Sequence, residues 1–182
     1  MYLLTAAVVV LAVLLLITLA FVAAMVRRLR DIERRVAGRS EPGGLEVGAQ
    51  IPPFAARAAD GTVVTDSELI GRRSLVAFYG VGCPGCETQL PEFTRRAAAL
   101  AADAVQVLPV LVTPPNLDDH EPDDGLRERL SGTGRLVAGD DALTVMQAFA
   151  AQATPSYYTV GPDGRVTGKG MTLAQTLAEQ PA

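Results

Sequence analysis

The chain has 182 residues, 16 Lys and Arg against 20 Asp and Glu, and a net charge of -4. That length holds one domain plus an appendage, and no basic block is large enough to propose a nucleic-acid partner. Two cysteines and one histidine are too few for a disulfide-stapled scaffold or a four-ligand zinc site.

Mean hydropathy is +0.25, and the excess lies at the N-terminus. Tyr2 to Val26 is almost wholly apolar and uncharged. At 1.5 Å per residue, about 25 residues cross a hydrocarbon core of roughly 30 Å. The run is too long for a cleaved signal peptide and lacks a basic start, so residues 1–26 are predicted to be one transmembrane helix. Arg27, Arg28, Arg30, Arg34 and Arg35 follow it, and nothing basic precedes it. By the positive-inside rule this places the rest of a single-pass protein in the cytoplasm. Residues 27–44 read as a basic juxtamembrane helix and a linker, Gly38 to Gly44, rich in Gly, Ser, Glu and Pro.

The globular part is expected over residues 45–182. Ala59-Asp60-Gly61-Thr62 reads as a turn between two short strands, followed by a one-turn helix at Asp66 to Ile70. Ser74 to Tyr79 reads as a buried strand. Cys86 to Ala102 reads as a helix that Pro91 should kink. Val105 to Val112 is a second buried strand, in which Pro109 either weakens the strand pattern or marks a bulge. Thr113 to Asp124 is a polar loop. Helices follow at Leu126 to Leu130 and Leu143 to Ala151, with a short strand at Leu136 to Ala138 between them. Tyr157 to Val160 and Arg165 to Thr167 flank the turn Gly161-Pro162-Asp163-Gly164, and a helix from Thr172 to Glu179 closes the chain. Alternating strands and helices ending in a hairpin predict an α/β fold, a mixed sheet flanked by helices.

Cys83 and Cys86 are the only cysteines, spaced Cys-Pro-Gly-Cys at the head of a helix. Unpaired N–H groups and the helix dipole favour a thiolate there, and a thiol three residues on can close a disulfide. The pair is the minimum equipment of a reversible dithiol couple. Pro84 has no N–H, which leaves the amides of Gly85 and Cys86 to stabilise the Cys83 thiolate. A structural disulfide across so short a loop would add little stability. Asp118-Asp119-His120-Glu121 has the look of an acidic loop rather than a metal site, and no metal or cofactor is expected. A peroxiredoxin needs Thr or Ser three residues before its reactive cysteine, and Gly80 stands there.

Several stretches together resemble the membrane-anchored thioredoxin-like proteins of the TlpA and ResA type, with MauD-like proteins close by. They are Val47-Gly48-Ala49-Gln50-Ile51-Pro52-Pro53-Phe54, the Asp60-Gly61 turn with Leu69, and Cys83-Pro84-Gly85-Cys86 with Pro91. Ala153-Thr154-Pro155-Ser156-Tyr157-Tyr158 and Gly161-Pro162-Asp163-Gly164-Arg165-Val166 complete the set. The resemblance covers roughly Leu45 to Ala182 and implies a thioredoxin-like fold and thiol–disulfide exchange with protein substrates and a redox partner. It implies that Cys83 is the exposed attacking thiol and Cys86 the partly buried resolving one. It also implies a cis Pro155, preceded by Thr154, whose backbone receives a partner strand. It favours work outside the cytoplasm, against the charge pattern. A dedicated maturation factor of the MauD kind, with turnover secondary, is the alternative. The chain departs from the family at Gly82, where a Trp is usual, at Gln89, often Glu, and at Ala77, the place of the buried acid of ordinary thioredoxins. Glu87 and Glu92 are the nearest substitutes for the missing proton relay.

Overall fold

The computed structural model describes residues 43–114 and 124–178. The predicted transmembrane helix, the juxtamembrane helix, most of the linker and the acidic loop with His120 lie outside them. Among the described residues no helix is long and apolar enough to cross a membrane.

The elements in chain order are β1 (Ala55–Arg57), β2 (Val63–Thr65), α1 (Asp66–Leu69), β3 (Ser74–Gly80) and α2 (Pro84–Ala102). Next come β4 (Gln106–Val112), α3 (Asp124–Ser131), β5 (Val137–Ala138) and α4 (Asp140–Ala148). Last among the described residues come β6 (Ser156–Val160), β7 (Val166–Gly170) and α5 (Leu173–Ala178). β1 and β2 form a small antiparallel hairpin, and the other strands form one sheet in the order β5-β4-β3-β6-β7. β3 runs parallel to β4 and antiparallel to β6, so the sheet is mixed, as expected.

All seven residues of β3 are buried, because helices cover both faces of the sheet. Its side chains divide by the two-residue period of a strand. Leu75, Ala77 and Tyr79 join Leu90, Phe93 and Ala97 of α2 in one core. Val76 and Phe78 join Val145 of α4, Phe149 and Tyr158 in the other. An aromatic trio anchors each core. Phe78 meets Phe149 and Tyr158 edge-on at centroid distances of 5.7 and 5.8 Å. On the opposite face Tyr79 lies 5.3 Å from Phe93 and 6.0 Å from Tyr157. Edge-to-face pairs at these distances add to the area they bury.

Three predicted details differ. Pro109 makes no bulge on the β3 side: it pairs with Ala77 in an unbroken register. On its other flank Pro109 meets the loop at Gly134, not a strand, and β5 pairs only from Val110 onward. A missing N–H costs no ladder bond there. α4 starts at Asp140, three residues early, because Asp140 and Asp141 suit the positive end of the helix. It stops at Ala148, where Ala150 adopts φ 48° and the amides of Ala150 and Ala151 reach back to Gln147 and Met146. This is a Schellman stop with alanine in the left-handed position. α2 ends the same way, with Ala104 at φ 60°. β7 continues to Gly170, past the predicted end at Thr167, because its ladder with β6 holds a sequence of low strand propensity.

The segment before β1 is fastened along the sheet. Tyr158 donates its hydroxyl proton to the Gly43 carbonyl at 2.7 Å, and Lys169 Nζ lies 2.8 Å from Glu46 Oε2. The Leu45 amide donates to Phe149 O, and Gly48 and Ala49 exchange backbone bonds with Val166.

Candidate functional site

β3 delivers the chain to the site. It ends at Gly80, two residues turn the backbone, and α2 begins at Pro84. Gly82 takes φ 68°, a left-handed conformation open to glycine, and so turns the backbone just before Cys83. Cys83 is the N-cap of α2 in an extended conformation, and Pro84 stands at the first helical position, where its missing N–H costs nothing.

Cys83 and Cys86 are joined as a disulfide with Cα atoms 5.2 Å apart. Cys83 is half-buried and Cys86 fully buried in the α2 core. The Cys86 amide donates to Cys83 Sγ at 3.2 Å. Cys86 Sγ in turn accepts the amide of Gly80 at 3.4 Å. The sulfur nearer solvent thus has a helix N–H aimed at it, which favours the thiolate once the bond is reduced.

The loop before β6 closes over the pair. The Thr154–Pro155 bond is cis. The Thr154 carbonyl oxygen lies 3.4 Å from Cys83 Sγ, where a reduced Cys83 can donate its S–H. Pro155 packs beside Gly85: a Cβ at residue 85 would stand 3.3 Å from Pro155 Cδ. All four residues singled out from the sequence therefore meet in one place.

The proton-relay positions are accounted for differently. Ala77 is fully buried and apolar. Gln89 donates to the Met171 carbonyl at 3.0 Å, which ties α2 to the β7–α5 loop. Glu92 pairs with Arg96 at 3.2 Å on the exposed face of α2, and Glu87 is exposed.

Sequence reasoning missed the polar pair beneath α2. Tyr79 and Tyr157 are both fully buried, with hydroxyls 2.7 Å apart. Burial pushes Tyr157 up to about 12, Glu92 adding to it, and raises Tyr79 further, with Tyr157 beside it contributing. Their signal was present only as tyrosines at inward positions of two strands whose pairing the sequence does not state. Ser156, next to Pro155, is buried, and its hydroxyl has no partner among the described residues. Among the described residues no group of three His, Cys, Asp or Glu could hold a metal. A cavity of about 390 Å³ beside Glu68, Gln106 and Arg135 lies at the opposite end of β3 and β4 from the dithiol.

The profile of the AhpC/TSA family matches residues 47–169. Among solved structures, the thioredoxin domain of a thiol–disulfide oxidoreductase from Bacteroides vulgatus gives a TM-score of 0.59 at 20% identity, covering 74% of this chain and 94% of that one. A thiol:disulfide interchange protein from Bacteroides sp. gives 0.57 at 22% identity, covering 74% and 90%. DsbF from MTB, solved in mixed oxidised and reduced forms, gives 0.51 at 25% identity, covering 66% and 85%. These likenesses show a thioredoxin-like fold. No curated protein matches the chain.

Proposed function

The chain belongs to the AhpC/TSA family, and on that premise we propose that it exchanges disulfides with protein partners through Cys83 and Cys86 while tethered to a membrane. Its enzyme class is that of the thioredoxin-like thiol–disulfide oxidoreductases. The observation that carries the proposal is the arrangement of the sulfurs. A half-buried one at a helix N-cap is bonded to a fully buried one and faced by the Thr154 carbonyl.

In the reductive direction the Cys83 thiolate attacks one sulfur of a client disulfide. A mixed disulfide forms and the client's other sulfur leaves as a thiolate. The Cys86 thiol gives up its proton and attacks the Cys83 sulfur. The Cys83–Cys86 disulfide forms and the second client sulfur leaves. Two electrons pass to the client, and a redox partner with a dithiol of its own must return them. Run backwards, the same steps oxidise a client dithiol. The Thr154 backbone, beside Cys83, is where an extended client segment would pair.

Within the family, the stretches from Val47 to Phe54 and from Thr154 to Val166 favour a role of the TlpA and ResA type. The apolar run from Tyr2 to Val26 supports a single-pass tether. The arginines that follow it favour a cytoplasmic domain. A membrane-impermeant thiol reagent tests that side: labelling of Cys83 in intact, reduced cells would put the domain outside, and protection until lysis keeps it inside.

The exchange chemistry is tested by substitution. Cys86→Ser should accumulate a mixed disulfide between Cys83 and its client, and Cys83→Ser should abolish both the trapped species and turnover. Reduction of a model disulfide by the Cys83→Ser variant would show that the attacking thiol is misassigned.

A further inference from the structure

We infer that Gly80 is a positioning residue for the dithiol site and that it acts by having no side chain. The inference rests on the exchange function proposed above. Gly80 adjoins both cysteines and Thr154. Its amide donates to Cys86 Sγ at 3.4 Å. A Cβ built on it would lie 2.6 Å from Thr154 Oγ1, 3.4 Å from Thr154 Cβ and 3.5 Å from Cys83 Cβ. The Thr154 hydroxyl therefore occupies the space that any side chain at position 80 would need. Through its carbonyl, the same threonine faces Cys83 Sγ at 3.4 Å.

The glycine is not required by the backbone. Gly82 has φ 68°, whereas Gly80 is not among the glycines in the left-handed region. Alanine could adopt the Gly80 conformation, and only the contact with Thr154 opposes it. Threonine is branched at Cβ and has few χ1 wells to retreat into. A methyl at position 80 collides with that hydroxyl, and unless the side chain turns to another well residue 154 itself shifts, and with it the carbonyl in front of Cys83. Gly80 and Thr154 form a matched pair: the first residue's empty face seats the second, and the second presents the backbone that a client segment would meet.

The test compares Gly80→Ala, Thr154→Ala, Thr154→Val and the doubles Gly80→Ala/Thr154→Ala and Gly80→Ala/Thr154→Val in the full-length protein. Two rates are read: exchange with a protein disulfide, and reduction of the Cys83–Cys86 bond by dithiothreitol, which needs no docking strand. Gly80→Ala should slow protein exchange about tenfold or more and dithiothreitol reduction less than about twofold, since small misplacements of reacting groups are costly. Thr154→Ala removes the obstructing atom, so its double with Gly80→Ala should run at the rate of Thr154→Ala alone. Thr154→Val keeps a branch in the same space and should not rescue. The urea midpoint should follow the same pattern, falling in Gly80→Ala and recovering in the alanine double, and it needs no client. Gly80→Ala at the wild-type rate, a defect that Thr154→Ala leaves in place, or equal slowing of both reactions would overturn the inference. A wild-type protein that exchanges with no protein disulfide would instead overturn the proposed function, and the urea series would still decide the pairing of Gly80 with Thr154.

Discussion

Removing the hydroxyl of Tyr79 should destabilise the domain although the ring stays in place. Tyr79 and Tyr157 are both fully buried, and their hydroxyls lie 2.7 Å apart. Tyr79→Phe deletes one oxygen, makes no large cavity, and strips Tyr157 of its partner. An unsatisfied buried polar group costs about 1–3 kcal/mol. Tyr157→Phe should cost about as much, for the mirror-image reason. The double variant is the informative one. It replaces both hydroxyls with hydrogen and leaves no polar group stranded, so its cost should fall well below the sum of the singles, by about 1–3 kcal/mol of coupling. Urea denaturation of the four proteins at 25 °C measures this, provided the m-values agree. If the double costs the full sum of the singles, the hydroxyls do not act as a pair and the account of this core is wrong.

The other expectations concern pH and single sites. Burial, aided by Glu46, pushes Tyr158 up to about 12, so the fold favours the neutral phenol. That contribution is intact below about pH 10, where the unfolded phenol is still protonated, and is lost as pH rises toward 12, by roughly 1 kcal/mol per pH unit. Urea midpoints should fall over this window, and less steeply in Tyr158→Phe; equal slopes would contradict the assignment. Ser156→Ala removes a buried hydroxyl that has no partner among the described residues and should raise stability by about 1 kcal/mol; a lower thermal midpoint would reveal a partner. Ala104→Gly relieves a left-handed alanine at the end of α2 and should also stabilise by about 1 kcal/mol; an unchanged midpoint would show that the cap carries no strain.

The parts of the fold legible in the sequence are those where local pattern and tertiary context agree. Ser74 to Tyr79 is apolar without alternation, which fits a strand covered on both faces, and so it is. A dithiol at the head of a helix announces itself through spacing alone. Thr154 and Pro155 could be placed opposite Cys83 only by likeness to other proteins, because 71 residues separate Thr154 from Cys83. The rest was hidden because it is made by packing. Pro109 looks like a bulge until the flank it turns to Gly134 is known. Gly80 looks like the loss of a hydroxyl until Thr154 is seen filling its space. The tyrosine pair depends on which strands lie side by side, and the order β4-β3-β6 is not written in any one of them.

The fastening of residues 43–50 along the sheet bears on how the protein can be dissected. A fragment cut at Val47, where the family match begins, would keep every strand and the dithiol. It would also lose the Gly43 carbonyl under Tyr158, the Leu45 amide on Phe149 and the carboxylate of Glu46 beside Lys169. Tyr158 and Phe149 belong to the same core as Phe78, on the strand that leads to Cys83. The bonded domain therefore reaches upstream of the region that matches the family, and shortened versions intended for redox measurements should retain Gly43.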